Sequence, residues 1–137
     1  MNDFNIKNTQ NVSISINLLI SSLNLSACDK PLGMESGAIK DGQLRASTEY
    51  TSNHGAKYAR LNKNQGAGCW ASKTKDQNQW LQVGFSSPVK VTGVATQGRT
   101  LYSQWVTKYK LQYSDDGENF QYYKEEGKDK VKRLNKR

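Results

Sequence analysis

Histidine, cysteine and proline are scarce in this 137-residue chain, which contains one histidine, two cysteines and two prolines. A lone histidine, His54, cannot supply the paired imidazoles of many zinc sites. Cys28 and Cys69 are widely spaced, and no third group is identifiable that would orient a Cys–His nucleophile pair. The scarcity of proline excludes a proline-rich linker. We therefore expect no catalytic residue and no metal site, and we predict that the chain is not an enzyme.

Cofactor-binding patterns are missing as well. The glycines of residues 66–68 do not belong to a phosphate-binding loop followed by a helix. Asp115, Asp116 and Glu118 form a turn cluster without the spacing of an EF-hand calcium loop. The sequence therefore predicts no bound cofactor and provides no support for calcium.

Sustained helical periodicity is absent, and the apolar pattern that is present has the period of strands. Apolar residues alternate in 80–85 and again in 109–114, and residues 89–96 are rich in β-branched side chains. Residues 115–117 form a turn after which 120–123 can return as a hairpin strand. This pattern predicts an all-β sandwich or barrel. The residues expected to be buried are Leu81, Val83, Phe85, Val91, Leu111 and Tyr113.

The formal net charge is +8, and half of this excess lies in residues 124–137, where seven lysines and arginines face three acidic residues. A basic domain suggests an acidic partner such as an anionic lipid, a sulfated glycan or a nucleic acid. The alternative is a solvated face with a basic tail. Because the basic residues do not interleave with a nucleic-acid recognition motif, we expect no nucleic-acid partner.

The first 27 residues differ from the rest of the chain. Residues 12–27 contain no charged side chain, but this stretch is too short and too rich in serine and asparagine for a transmembrane helix. It ends in small residues before Cys28, as a secretory signal cleaved after Ala27 would. We predict that residues 1–27 are a signal peptide or a disordered leader and that the mature chain is secreted. Residues 25–28 also fit a bacterial lipoprotein box that lipidates Cys28, although such signals need an N-terminal positive charge.

Five segments, in the same order, resemble the discoidin or coagulation factor 5/8 C-type domain family. The resemblance covers residues 28–131. It implies a galactose-binding-like, antiparallel β-barrel or jelly-roll sandwich whose loops project from one end as spikes. The segments are CDKPLGMESGAIKDGQLRAS (28–47), the strand-like YARLN (58–62), GCWAS with QWLQVGF (68–72 and 79–85), VKVTGVATQGR (89–99) and YKLQYSDDGENF (109–120).

The resemblance also implies where a ligand binds. The relevant loops are the first spike (residues 49–57), the second loop (66–78) and the third spike (98–104), which we call together the loop end. Apolar tips surrounded by basic residues suit an anionic membrane, whereas the polar first spike suits a glycan or an acidic protein equally well. The expected ligand-binding residues are Tyr50, Asn53, His54, Lys57, Arg99, Leu101 and Tyr102. The three tryptophans, Trp70, Trp80 and Trp105, are expected to be structural.

In the family, the chain continues beyond the segment that matches 126–131, adds further strands and ends in a cysteine bonded to the first one. Here residues 132–137 form a basic tail, so Cys28 lacks its usual partner and the pairing of Cys69 is left open. We therefore expect residues 28–131 to be a partial domain, incomplete at its C-terminus, from a truncated gene model, an alternative transcript or a fragment.

Together these observations predict an extracellular, non-catalytic binding or adhesion module. Its expected ligand is a cell-surface anionic phospholipid, glycan or protein, and peripheral membrane contact is among the outcomes. One alternative is a carbohydrate-binding module of a secreted or lipid-anchored bacterial protein. Another is a non-functional fragment of a larger adhesion protein. The sequence leaves the oligomeric state open.

Overall fold

The computed structural model describes residues 3–8, 15–20, 30–99 and 101–133. Their regular structure consists of strands and short 3-10 turns, which confirms the all-β prediction. No helix within these ranges is long and apolar enough to cross a membrane. The strands are β1 (Asp3–Asn8), β2 (Ser15–Ile20), β3 (Lys30–Pro31), β4 (Leu44–Ala46), β5 (Trp80–Gly84), β6 (Val91–Gln97), β7 (Lys108–Ser114), β8 (Gln121–Tyr122), β9 (Lys124–Glu125), β10 (Lys128–Asp129) and β11 (Val131–Arg133).

All strand pairs are antiparallel. The larger sheet has the order β11-β7-β1-β5-β4, with β8 paired to β7. A second sheet has the order β3-β2-β6, and β9 and β10 form a separate hairpin. Over the residues described, the sheets do not close into a complete barrel, as expected for an incomplete jelly-roll fold.

Two of these strands come from the segment in which a signal peptide or a disordered leader is predicted. β1 lies in the middle of the larger sheet, and β2 lies in the middle of the smaller one. At the other end, Lys132 and Arg133 of the expected basic tail pair with Tyr109 and Lys108. Cys28 lies outside the described residues. The proposed domain boundaries therefore remain a prediction.

The core lies against β5 and β7, and its central strands follow the alternation read from the sequence. Leu81, Val83 and Leu111 are buried as predicted, and Phe85 and Val91 pack against the core while partly exposed. Tyr113 is only half-buried, contrary to the expectation. The reason lies at the end of β7, where Ser114 is buried instead. The main buried apolar residues are Met34, Ile39, Leu44, Ala56, Ala59, Trp70, Leu81, Val83, Val106, Tyr109 and Leu111.

The turn after β7 explains the inward position of Ser114. Its hydroxyl donates to the Asp116 carboxylate at 2.7 Å and accepts the backbone N–H of Gly117 at 2.9 Å. Asp116 also accepts the N–H groups of Asn119 and Glu118. These bonds, led by that from Asn119, hold the pKa of Asp116 well below its usual range. The carboxylate is therefore an acceptor within the turn predicted at 115–117.

Residues 58–62, which the family resemblance marks as a strand, do not form one. Tyr58 ends a 3-10 turn (Ala56–Tyr58), and Asn62 has a positive φ of 56°. Arg60 between them is buried, and its guanidinium donates to three acceptors. These are the carbonyl groups of Met34 and Ile39, at 2.8 and 2.9 Å, and the Asp41 carboxylate at 2.6 Å. A buried charge needs such saturation, and the irregular backbone of residues 58–62 holds Arg60 where these three acceptors provide it.

Candidate ligand-binding site

The first spike and the second loop are joined by backbone hydrogen bonds. The N–H of Tyr50 donates to the Ala71 carbonyl at 2.8 Å, and the N–H of Ala71 donates to the backbone carbonyl of His54 at 3.2 Å. The N–H of Ala67 donates to the Asn53 carbonyl at 2.8 Å. The first spike also contains a 3-10 turn at Ser52–His54. These bonds fix the two loops against each other, so Tyr50 and His54 keep a defined position.

The third spike is attached to the second loop through Arg99. Its Nε donates to the Ala67 carbonyl at 3.2 Å, and its Nη1 donates to the Gln104 side chain at 3.1 Å. Its guanidinium carbon lies 3.8 Å from the ring centroid of Tyr102. The two hydrogen bonds use two of five N–H donors. The side chain therefore has donor capacity for an anion as well as its charge.

A cavity of about 430 Å³ opens between these loops. It is lined by Tyr50 and His54 from the first spike, and by Lys75 from the second loop. Arg99 and Trp105 line the side of the third spike. The lining thus combines three aromatic rings with two permanent cations, a composition suited to an anionic ligand that has a ring or an apolar face.

His54 is held in place inside this cavity. Its Nδ1 shares a hydrogen bond of 2.8 Å with the Thr51 hydroxyl, and its ring meets that of Tyr50 edge-on with centroids 5.4 Å apart. Burial, followed by the positive charge of Arg99, lowers the pKa of His54 below its ordinary value. The imidazole is therefore mostly neutral at physiological pH.

The tip of the third spike is apolar and exposed. Leu101 is 81% exposed and Tyr102 is 56% exposed. Tyr50, at the cavity rim, is 62% exposed. Neither Leu101 nor Tyr102 folds over the core. Leu101 and Tyr102 thus form an exposed apolar tip beside the cationic cavity, and their role in ligand binding stays a prediction.

The seven residues predicted to bind a ligand do not all meet. Tyr50, His54 and Arg99 line the cavity, and Tyr102 stacks on Arg99 with Leu101 beside it. Asn53 is exposed and does not line the cavity. Lys57 also lies away from it, with its Nζ 5.0 Å from the ring centroid of Tyr58. Their roles in ligand binding remain a prediction.

Two lining residues were missed by sequence reasoning. Trp105, expected to be structural, is half-buried and forms part of the cavity wall. Lys75 lies in a polar loop with no motif around it, so its positive charge was the only signal in the sequence that could have identified it. Trp70, by contrast, is structural as expected, since it is fully buried and its Nε1 donates to the Thr48 carbonyl at 2.9 Å.

The side chain of Gln79 supports the second loop through a network of hydrogen bonds. It is 4% exposed, and its side-chain oxygen accepts the hydroxyls of Ser47 and Thr48 at 2.8 and 2.5 Å. Its side-chain nitrogen donates to Thr74 Oγ1 at 2.7 Å and to the Asp76 carboxylate at 3.0 Å. All four hydrogen-bonding positions of the amide are thus used. This network fixes residues 73–78, the segment that contains Lys75.

The loop end is basic overall. Its three segments, residues 49–57, 66–78 and 98–104, contain four lysines and arginines against two acidic residues. Of the acids, Glu49 accepts the Ala56 N–H at 2.9 Å. Charges of one sign around a cleft raise the local concentration of oppositely charged ligands.

Metal-ligating side chains do not gather in the described parts of the chain, where no group of three His, Cys, Asp or Glu residues could hold an ion. A second cavity of about 420 Å³ lies at the Gly84 end of β5, lined among others by Arg45, Asp116 and Glu118. Because the Asp116 carboxylate serves the turn, this cavity has a mixed charge and less capacity for an anion than the loop end.

An antiparallel β fold with a cavity among its projecting loops is typical of a class of binding modules. The pattern of the F5/8 type C domain matches residues 43–137. The chain belongs to the F5/8 type C, or discoidin, domain family, which confirms the resemblance noted in its sequence.

Curated relatives give the same assignment. The chain is 44% identical over 117 residues to the human EGF-like repeat and discoidin I-like domain-containing protein 3, covering 78% of the chain and 24% of that protein. It is 42% identical over 104 residues to mouse retinoschisin, covering 71% of the chain and 46% of that protein. The chain thus spans less than half the length of these relatives. No solved structure matched it. Family and relatives support a non-catalytic binding module and do not specify its ligand.

Proposed function

We propose that this chain is an extracellular adhesion module that binds anionic phospholipid surfaces through its loop end. The observation that carries the proposal is the position of Leu101, 81% exposed, on the same spike as Arg99, which lines the basic cavity. An apolar tip can enter the interfacial region of a bilayer while neighbouring cations bind the head groups. Lys75 adds a second cation at the cavity.

In this proposal the apolar tip and the cavity make different contributions to membrane binding. Leu101 and Tyr102 supply apolar area that becomes buried in the interface. Arg99 supplies N–H donors and charge to a phosphate or carboxylate, because a guanidinium fork matches the geometry of both anions. The remaining basic residues of the loop end attract the membrane at longer range, an effect that salt screens.

A second candidate ligand is an acidic glycan. Tyr50 favours it, because a 62% exposed ring at the rim of a cavity offers a flat face to a sugar, and His54 and Arg99 beside it offer polar contacts. In this mode Leu101 would remain in solvent. The two candidates therefore differ in whether the apolar tip contributes to binding.

The test is a co-sedimentation assay with the chain and vesicles of phosphatidylcholine, with and without 20% phosphatidylserine, beside an array of neutral, carboxylated and sulfated glycans. We expect binding to the phosphatidylserine vesicles that weakens as salt is raised. Binding to acidic glycans with none to either vesicle would replace the membrane proposal by the glycan one. No binding to vesicles or to glycans would contradict both.

A further inference from the structure

The two N-terminal strands, β1 and β2, each lie between two other strands of a sheet. β1 pairs with β5 on one side, from Asp3↔Gly84 to Lys7↔Trp80. On its other side it pairs with β7, from Asp3↔Ser114 to Asn8↔Tyr109. β2 lies between β3 and β6 in the same way. Both strands are interior strands of a sheet, although they precede the rest of the described chain in sequence.

Without β1 and β2, the hydrogen-bonded pairing between the remaining described strands is interrupted. β5 keeps only β4, and β7 keeps only β8 and β11. β3 and β6 then have no strand partner among the residues that the structure describes. Among the described strands, β1 alone joins the β4–β5 pair to β7 by hydrogen bonds, and β2 has the same role for β3 and β6.

The register matches the apolar pattern of the segment to the core. Phe4 pairs with Val83 and Tyr113, and Ile6 pairs with Leu81 and Leu111. Leu81, Val83 and Leu111 are buried. In the second sheet, Leu18 pairs with Val94 and, beyond a register shift after Leu19, Ile20 pairs with Val91; both valines pack against the core. Such alternation specifies the register of a strand in a sheet. The sequences of β1 and β2 therefore suit their positions, between β5 and β7 and between β3 and β6.

We infer that residues 30–133 form a strand acceptor with two peptide-binding slots, one between β5 and β7 and one between β3 and β6. The ligand class is an extended peptide with alternating apolar residues, bound through backbone hydrogen bonds on both edges. In the intact chain the occupant is the chain's own N-terminal segment. Removal of residues 1–27, as the signal-peptide prediction would have it, opens both slots to a strand supplied in trans. This inference is independent of the ligand bound at the loop end.

The first test places proline in β1 of the intact chain, expressed without passage through a secretory pathway. Asn5→Pro removes an N–H from a strand paired on both sides, whereas Leu23→Pro, outside β1 and β2, is the matched control. We expect hydrogen exchange in 80–84 and 108–114 to accelerate about tenfold or more in N5P, because each lost bond leaves a buried acceptor unsatisfied. The L23P control should exchange as the parent chain does. Equal exchange in all three chains would overturn the inference.

The second test keeps the parent sequence of both strands and so does not depend on folding of a variant. A protease site replaces residues 22–26, and the folded chain is cut there. We expect the N-terminal peptide to co-elute with the body in gel filtration. After separation in denaturant and refolding, a synthetic peptide of residues 1–21 should restore the protection of 80–84, and a scrambled peptide should not. Release of the peptide from a body that keeps its melting temperature and its protection would overturn the inference.

Discussion

The guanidinium of Arg99 lies 3.8 Å from the ring centroid of Tyr102 while its Nε donates to the Ala67 carbonyl at 3.2 Å. One side chain therefore orders the third spike, connects it to the second loop and places a positive charge at the cavity. A cation over an aromatic face stabilises an exposed site by about 0.5–1 kcal/mol. The same residue that shapes the site is thus proposed to bind the anion.

Replacing Arg99 separates these two roles. We expect Arg99→Ala to weaken binding to phosphatidylserine vesicles about tenfold or more, because charge and donors are both lost. Arg99→Lys keeps the charge but not the planar fork. The affinity of R99K should therefore lie between that of R99A and that of the parent chain. Lys57→Ala, which removes one cation away from the cavity, is the control and should change affinity less. Vesicle titration at two salt concentrations measures the effect, and equal losses in R99A and K57A would contradict a specific role for Arg99.

The apolar tip gives a second prediction. Leu101→Ser combined with Tyr102→Ser should weaken vesicle binding about tenfold or more, since burying a large apolar side chain contributes about 1.5–3 kcal/mol. The melting temperature should stay close to that of the parent, because both side chains are exposed. The matched control is Tyr123→Ser with Val131→Ser, an exposed apolar pair outside the loop end. If both double variants bind like the parent chain, the tip does not enter a membrane.

His54 makes the site sensitive to pH. Its folded pKa is lowered, so protonation favours the unfolded chain. Its contribution to stability is present above the unfolded value of about 6.5 and is lost as the pH falls through the folded pKa. His54→Gln should therefore lessen the loss of stability between about pH 7 and pH 5.

The same protonation acts in the opposite direction on ligand binding. A charged His54 beside Arg99 adds to the positive potential of the cavity, so vesicle binding should strengthen as the pH falls, and a bound anion should raise the pKa of His54. The chain has one histidine, so its ring resonance can be followed by NMR without assignment. A titration midpoint above that of a model peptide in the ligand-free chain would contradict the lowered pKa.

Gln79 tests the support beneath the second loop. Gln79→Leu removes four hydrogen bonds and should destabilise the chain by about 2–4 kcal/mol, at roughly 1 kcal/mol for each bond. Hydrogen exchange in residues 73–78 should accelerate most. Gln77→Leu, at an exposed position of the same loop, is the matched control and should leave stability within about 0.5 kcal/mol of the parent. Similar unfolding midpoints for Q79L and Q77L would show that the network contributes little.

Much of the fold was predictable because its information is local. Alternation at Leu81, Val83 and Leu111 identified the central strands and their buried faces. The turn after β7 was recognisable from its Asp-Asp-Gly sequence. The same reasoning failed at Tyr113, because the burial of Ser114 follows from a side-chain network in the turn and not from the period of the strand.

The loop-end site was predictable only in part. The apolar pair Leu101 and Tyr102 stood out because such residues are unusual in a loop, and Arg99 lies two residues before the pair. Lys75 and Trp105 could not be assigned, because they approach Tyr50 and His54 only after the three loops have packed. Asn53 and Lys57 belong to the same loop as Tyr50 and His54 but do not line the cavity, because neighbours in sequence need not face the same space, and their roles stay a prediction.

The sequence by itself determined the strand periods, the turns, the family and the basic character of the loop end, because each depends on residues close together in the chain. Only the tertiary structure decided which strands pair, which basic side chains meet around the cavity, and that Arg60 is buried among carbonyl groups. Antiparallel pairing joins residues such as Phe4 and Val83 that are far apart in sequence. Alternation specifies which face of a strand is buried but not which neighbour it finds.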